Sequence, residues 1–255
     1  FWRPCGGLGG FKKSGYNKRV FLMENSNLIE TKRLSIGYRE KEELLGNVSI
    51  SFGSSEIWSL LGENGTGKTT LFKTLMGLIP ALEGELFYKN ALNPRDLISF
   101  VQTGRQANQN MLVSEFLDLG AYRRSDWLGR LNESDKKRVQ VWAERFSLNP
   151  LLQRKLHTLS DGQYQRMQIC QAIIAGNPLL ILDEPTAFLD FKARDALLEL
   201  LLNLNREEGL SILCATHDFD FAVKLTDNHL LIKHRKIEAL RKAEIQSDQL
   251  KAQLS

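Results

Sequence analysis

The sequence predicts an α/β fold: a core of mostly parallel sheet, an N-terminal antiparallel β subdomain, and an inserted α-helical subdomain. Three observations predict it. The stretch Gly62-Glu63-Asn64-Gly65-Thr66-Gly67-Lys68-Thr69-Thr70 fits G-x-x-x-x-G-K-[ST], between an apolar strand-like stretch at 56–61 and helical spacing at 71–76. Runs of strand length at 179–182 and 211–216 are apolar almost throughout, the pattern of strands covered on both faces. From Ser114 onward the texture turns helical, with charged and apolar faces over 134–146.

Taken in order, residues 28–38 read as a strand with Leu34, Ile36 and Tyr38 on one face, 41–43 as a charged hairpin turn, and 47–52 as the returning strand. A third strand at 56–61 runs into the glycine loop and its helix, which Gly77 and Pro80 end. Strands follow at 84–88 and 98–102, the second finishing in Gln102. The middle block begins at 103; with the helix that follows Leu159-Ser160-Asp161-Gly162-Gln163, the helical subdomain spans approximately 103–176. The strand at 179–182 ends in Asp183-Glu184, as expected of a central parallel strand with chemistry at its carboxyl end. Ala187-Phe188-Leu189-Asp190 leads into a helix over 192–205, the strand at 211–216 ends at His217, and a strand at 230–237 and a polar helical tail close the chain.

The 255 residues are 42% hydrophobic and 25% charged, a globular composition able to bury roughly 70–75% of its unfolded surface in one domain with a subdomain. No apolar run reaches the roughly 18 residues of a membrane span, so a membrane role is expected to come through a partner. Cys5, Cys170 and Cys214 are far apart and show no C-x-x-C spacing; Cys170 and Cys214 lie in apolar segments and read as buried thiols. Residues 1–22 hold Arg3, Lys12, Lys13, Lys18 and Arg19 and no acid, so from Met23 onward the net charge falls from +4 to −1. With no basic helix and no RNA-binding aromatic motif, nucleic acid is not an expected partner. Residues 1–22 are expected to be a non-native or disordered extension, with the folded domain over 23–255 and translation starting at Met23.

Glycine at 62, 65 and 67 lets the backbone bring its N–H groups against phosphate oxygens, and the helix beginning near Lys68 adds the positive end of its dipole. Lys68 can reach the β and γ phosphates, and the Thr69 hydroxyl can ligate magnesium. Asp183, 115 residues after Lys68, is the natural strand-borne magnesium residue, and Glu184 is the group that polarises a water. His217 can approach the γ phosphate from the side. The ring of Tyr38, 24 residues before Gly62, can lie against an adenine.

Together these residues resemble the ATP-binding-cassette ATPases over essentially everything from Leu28 to Ile237. The phosphate loop, Gln102, Leu159-Ser160-Asp161-Gly162-Gln163, Ile181-Leu182-Asp183-Glu184-Pro185-Thr186, Asp190 and Thr216-His217-Asp218 stand in the family's order. The resemblance implies an ATPase that binds ATP and Mg²⁺, with Tyr38, Gly62, Asn64, Gly65, Gly67, Lys68, Thr69 and Thr70 on the nucleotide. It implies Thr69, Gln102 and Asp183 at the metal, and Glu184, His217 and Gln102 in catalysis. It further implies a head-to-tail homodimer in which Ser160, Gly162 and Gln163 of one subunit meet the ATP held by the other, with Asp190 in the dimer loop.

The stretch from Val113 to Arg123, then Trp127-Leu128-Gly129-Arg130-Leu131 and Asp135, resembles bacterial importers of iron–siderophore, haem and cobalamin complexes. That resemblance implies a polytopic permease as partner, an extracytoplasmic binding protein that delivers the substrate, and a place on the cytoplasmic face of the inner membrane. An exporter ATPase and a soluble non-transport cassette protein stay open as alternatives; 92 residues without heptads between Lys68 and Ser160 speak against the DNA-acting kind. A nucleotide-gated subunit with little hydrolysis is a further alternative, supported by one departure: Asp161 stands where the family has glycine in the signature. A carboxylate there repels a triphosphate unless it points away or finds a donor.

Overall fold

The computed structural model describes residues 20–23, 27–38, 42–89, 93–105, 107–122 and 131–241. In chain order come β1 (Val20–Met23), β2 (Asn27–Gly37), β3 (Glu43–Val48), β4 (Ser51–Gly53), β5 (Ile57–Leu61), α1 (Lys68–Leu75), β6 (Glu83–Lys89) and β7 (Ile98–Gln102). Three helices follow: α2 (Val113–Ala121), α3 (Glu133–Arg145) and α4 (Asp161–Ile174). The chain continues through β8 (Leu179–Asp183), α5 (Phe191–Glu208), β9 (Ser211–Thr216), α6 (Phe219–Leu225), β10 (Asn228–Lys233) and β11 (Lys236–Arg241).

The core sheet has the order β11-β10-β5-β9-β8-β7 and is parallel at every step except the β10–β11 hairpin. Its central strands bury alternate residues on opposite faces, as the period of two requires. Leu180 and Leu182 of β8 and Ile212 and Cys214 of β9 pack with α4 and α5; Leu179, Ile181, Leu213 and Ala215 pack with α1 and the second sheet. That second sheet runs β1-β6-β2-β3 with β4 also on β2, and its β2 pairings are all antiparallel. In the 103–176 block expected to be a helical subdomain, α2, α3 and α4 pack on one another. Burial pushes the Cys170 thiol up to about 12 and the Cys214 thiol higher, so both are inert packing groups, as the apolar context predicts.

Several boundaries differ from the sequence reading. Glu43 already belongs to β3, so the turn expected at 41–43 has strand at its last residue; Lys41 lies outside the described residues. The strand expected at 230–237 is a hairpin, because His234 and Arg235 both take positive φ, 49° and 61°, and turn the chain back into β11. Neither is glycine or asparagine, so no turn signal marks them. Helix α6 had no expected counterpart; Asp218 caps it by accepting from Phe221 N at 3.0 Å. β1 pairs in parallel with β6 and crosses the boundary drawn between 22 and 23, so residues 20–22 belong to a paired strand. Residues 238–241, expected to begin the polar helical tail, are strand in β11; the rest of that tail, the rest of 1–22 and the 123–130 part of the importer-like stretch lie outside the described residues.

Candidate functional site

Register brings the site together. In the parallel core Gln102 stands level with Asp183, Asp183 with Ala215 and Leu61 with Thr216, so four strands end on one line. Whatever follows each carboxyl end converges there, which is where open α/β sheets place their ligands. The result is a cleft of about 560 Å³, lined by Tyr38, Asn64, Gly65, Gly67, Lys68, Thr69, Thr70, Gln102, Asp183, Glu184 and His217 among others. Its size falls within the roughly 300–1,000 Å³ of small-molecule sites.

The loop itself owes its shape to two residues. Gly65 has φ 80° and Gly67, the residue that caps α1, has φ 103°. Any side chain would be strained there. Lys68 then opens α1 and is buried. Its Nζ donates to Gly62 O at 2.5 Å and Glu63 O at 3.3 Å, and pairs with Glu184 Oε1 at 2.8 Å. Gly62 thus serves through its carbonyl. Thr69 Oγ1 donates to Asp183 Oδ2 at 2.6 Å, and the Tyr38 hydroxyl lies 3.1 Å from Thr70 Oγ1 while its side chain is 61% exposed at the cleft mouth.

Glu184 sits just past β8 with φ 51°, a left-handed conformation that costs a non-glycine residue about 1–3 kcal/mol. The surroundings impose it. Its N–H donates to Ala215 O at 2.9 Å, and the Thr103 hydroxyl donates to Glu184 O at 2.8 Å and to Asp183 O. The carboxylate therefore turns back into the cleft, with Oε1 on Lys68 and Oε2 on His217 Nδ1 at 2.7 Å. His217 N–H also donates to Oε2, at 3.2 Å. With Nδ1 committed to the carboxylate, Nε2 is the nitrogen left for an incoming ligand. Thr103 was not among the residues sequence singled out, and its threonine has no local signal of this role.

Burial pushes the Asp183 carboxyl above its ordinary pKa and the Glu184 charge adds to the rise, while the Thr69 hydrogen bond and the charges of Lys68 and Lys73 oppose it. A folded value above the unfolded one means a contribution present below the ordinary carboxylate pKa and lost as pH rises through the raised value. At neutral pH the ionised carboxylate is thus a net cost to folding. Asp183→Asn should raise the melting temperature at pH 7, and the gain should shrink near pH 4. Calorimetry without nucleotide at the two pH values checks it; a lower melting temperature at pH 7 would contradict the argument.

The signature stands apart from this cleft: none of Ser160, Gly162 or Gln163 lines it. Ser160 caps α4, with its Oγ accepting from Gln163 N at 3.3 Å and Gln163 Oε1 accepting from Ser160 N at 3.0 Å, a reciprocal capping box. Asp161 is the first residue of α4 and finds a donor that sequence did not reveal: Arg105 Nη2, at 2.9 Å from Oδ1. Asp190 caps α5 by accepting from Ala193 N at 2.7 Å.

A phosphate loop, a strand-borne acid and a polarised glutamate at the ends of parallel strands define a phosphate-loop nucleotide hydrolase. Comparison with known proteins narrows the class. A family model described as ABC transporter matches residues 45–187, more than half of the chain. The iron(3+)-hydroxamate import ATP-binding protein FhuC of Bacillus subtilis is 31% identical over 215 residues, covering 81% of this chain and 79% of that protein. The zinc uptake system ATP-binding protein ZurA of Listeria monocytogenes is 30% identical over 217 residues, covering 82% and 84%. The structure of cbiO1 from Clostridium perfringens, part of the ABC transporter complex cbiONQ, superposes with a TM-score of 0.76 at 26% identity, covering 90% of this chain and 94% of that one. The chain belongs to the ABC transporter family, as its ATP-binding and ATP-hydrolysing subunit.

Proposed function

We propose that this chain energises a bacterial importer of iron–siderophore, haem or cobalamin-type metal chelates. The observation that carries the hydrolysis is Glu184 held in the cleft between Lys68 and His217, beside the Thr69–Asp183 pair, and the likeness to the iron(3+)-hydroxamate import protein supports the cargo. Tyr38 stacks on adenine; Asn64, Gly65, Gly67, Lys68, Thr69 and Thr70 hold the phosphates through backbone N–H groups, the ammonium and hydroxyls. A water oriented by Glu184 attacks the γ phosphorus, its proton passes to the Glu184 carboxylate, and the bond to the bridging oxygen breaks to leave ADP and phosphate. Lys68 must leave Glu184 for the phosphates before this happens, which frees the carboxylate to act as base.

Magnesium fits the donor set. The Thr69 hydroxyl, the buried Asp183 carboxylate and the Gln102 amide oxygen are all hard oxygen ligands, and a carboxylate whose ionisation burial disfavours calls for a cation. Bound there with ATP, the ion would supply positive charge to the phosphate oxygens. Hydrolysis is completed across a homodimer, with Ser160, Gly162 and Gln163 of one copy closing on the ATP of the other and Asp190 at the seam. The expected partners are a polytopic permease and, through it, an extracytoplasmic binding protein, with the chain peripheral on the cytoplasmic face of the inner membrane. In keeping with that, no helix among the described residues is long and apolar enough to cross a membrane.

Tyr38→Ala should weaken ATP binding about tenfold, within the ~1–3 kcal/mol of one stacked base, whereas Tyr38→Phe should lose far less although it removes the Thr70 hydrogen bond. A fluorescent-nucleotide titration separates them; equal affinity in the alanine variant would remove Tyr38 from the site. The likeness to a zinc uptake protein favours a second reading, in which the cargo is zinc itself. Co-purification from detergent-solubilised membranes, followed by uptake of labelled ferric hydroxamate and of labelled zinc in cells lacking this chain, decides between them. Loss of zinc uptake alone would overturn the chelate reading, and recovery of ribosomal or DNA-repair proteins without a permease would overturn both.

A further inference from the structure

Asp161 is the one position at which the signature carries a negative charge, at the first residue of α4 and beside the N-terminus that is to be offered to a phosphate. Left bare, its carboxylate would oppose a triphosphate. Arg105 answers it from another part of the chain, three residues after Gln102. Its Nη2 donates to Asp161 Oδ1 at 2.9 Å and to Leu159 O at 2.7 Å, its Nη1 donates to Leu156 O at 3.0 Å, and the guanidinium lies over the Tyr164 ring, 4.8 Å from its centre. One planar group thus holds the turn before the signature, the signature acid and the next ring along the helix. A lysine ammonium lacks that fork. Two further contacts bind the same segment to α4: Gln168 Nε2 donates to Gly104 O at 3.3 Å, and Ala107 N to the Tyr164 hydroxyl at 3.4 Å.

We propose that Arg105 is the positioning residue of the signature: it neutralises Asp161 and fixes the entry to α4, so that the signature of one copy can close on the triphosphate held by a second copy. The inference rests on the reading that Ser160, Gly162 and Gln163 meet that triphosphate. Because Gln102 and Arg105 share one short segment, a displacement of Gln102 by nucleotide is carried to the signature through the guanidinium. Stability is not what the pair supplies. Its side chains are 31% and 57% exposed, and ion pairs that open to solvent contribute little to folding. The effect belongs instead to ATP-driven closure, where the carboxylate comes up against phosphate charge.

The test is ATP-driven dimerisation of the full chain carrying Glu184→Gln, followed by sedimentation velocity against ATP concentration. Arg105→Ala should raise the ATP concentration at half-dimerisation about tenfold, and adding Asp161→Asn should bring it back to within about threefold, since the charge is removed while the lost carbonyl contacts remain. Arg105→Lys should fall between, and the melting temperatures of Arg105→Ala with and without Asp161→Asn should stay together. A midpoint unmoved by Arg105→Ala, or a shift that Asp161→Asn does not relieve, overturns the proposal. If Glu184→Gln alone binds fluorescent ATP yet stays monomeric at every ATP concentration, the reading of the signature is wrong and this inference falls with it.

Discussion

Glu184→Gln should reduce ATP turnover by about 10²–10⁴-fold, the usual contribution of a positioned general base, while ATP binding persists. The amide keeps the shape of the carboxylate, and an amide oxygen can still accept from His217 Nδ1, which donates to Oε2 at 2.7 Å. What it cannot do is take a proton from water. The variant also loses the charge that pairs with Lys68, so the ammonium is freer to turn to phosphate and affinity should hold or rise. Single-turnover hydrolysis beside a nucleotide-binding titration separates the two effects. Turnover within a few-fold of the parent would remove Glu184 from the chemistry.

Lys68→Ala should act on the other quantity. A hydrogen bond to a charged group is worth about 1.5–3 kcal/mol, and losing the ammonium from two phosphates should weaken ATP binding roughly a hundredfold or more. The fold should survive, because the ammonium contacts loop carbonyls and Glu184 and Lys68 belongs to neither large apolar cluster. Isothermal titration with ATP, alongside circular dichroism, checks both halves. Near-parent affinity in a folded variant would show that the buried ammonium serves the loop and Glu184 alone.

The two variants differ because the two residues share one ion pair but answer to different partners once nucleotide arrives. Lys68 Nζ and Glu184 Oε1 pair at 2.8 Å, and that pairing keeps the base occupied until phosphate displaces it. The strained φ of Glu184 keeps the carboxylate within reach of both partners, since an extended residue at the end of β8 would stand its side chain roughly perpendicular to the sheet.

Much of this was legible locally. The glycine loop announces itself because positive φ is closed to most residues, and the two positions that need it, 65 and 67, are glycine. The strands β8 and β9 show as unbroken apolar runs because both faces are covered, and α4 and α5 open where Ser160 and Asp190 can cap them. The β10–β11 hairpin was not legible, since His234 and Arg235 are held at positive φ by the strands they join rather than by their own preference. Helix α6, seven residues long, is too short for its periodicity to stand out.

By itself, then, the sequence determined the order of elements, the phosphate loop, the acids at the end of β8 and the family, because each is written in backbone preference and side-chain period within a few residues. Tertiary structure alone decided which of them meet. Lys68 reaches Glu184, Thr103 holds the carbonyls of Asp183 and Glu184, and Arg105 covers Asp161, 56 positions further along, only because the sheet order sets β5, β9, β8 and β7 side by side and docks α4 on the segment after β7. No local rule specifies that order. It follows from burying both faces of the core sheet at once, a property of the whole chain.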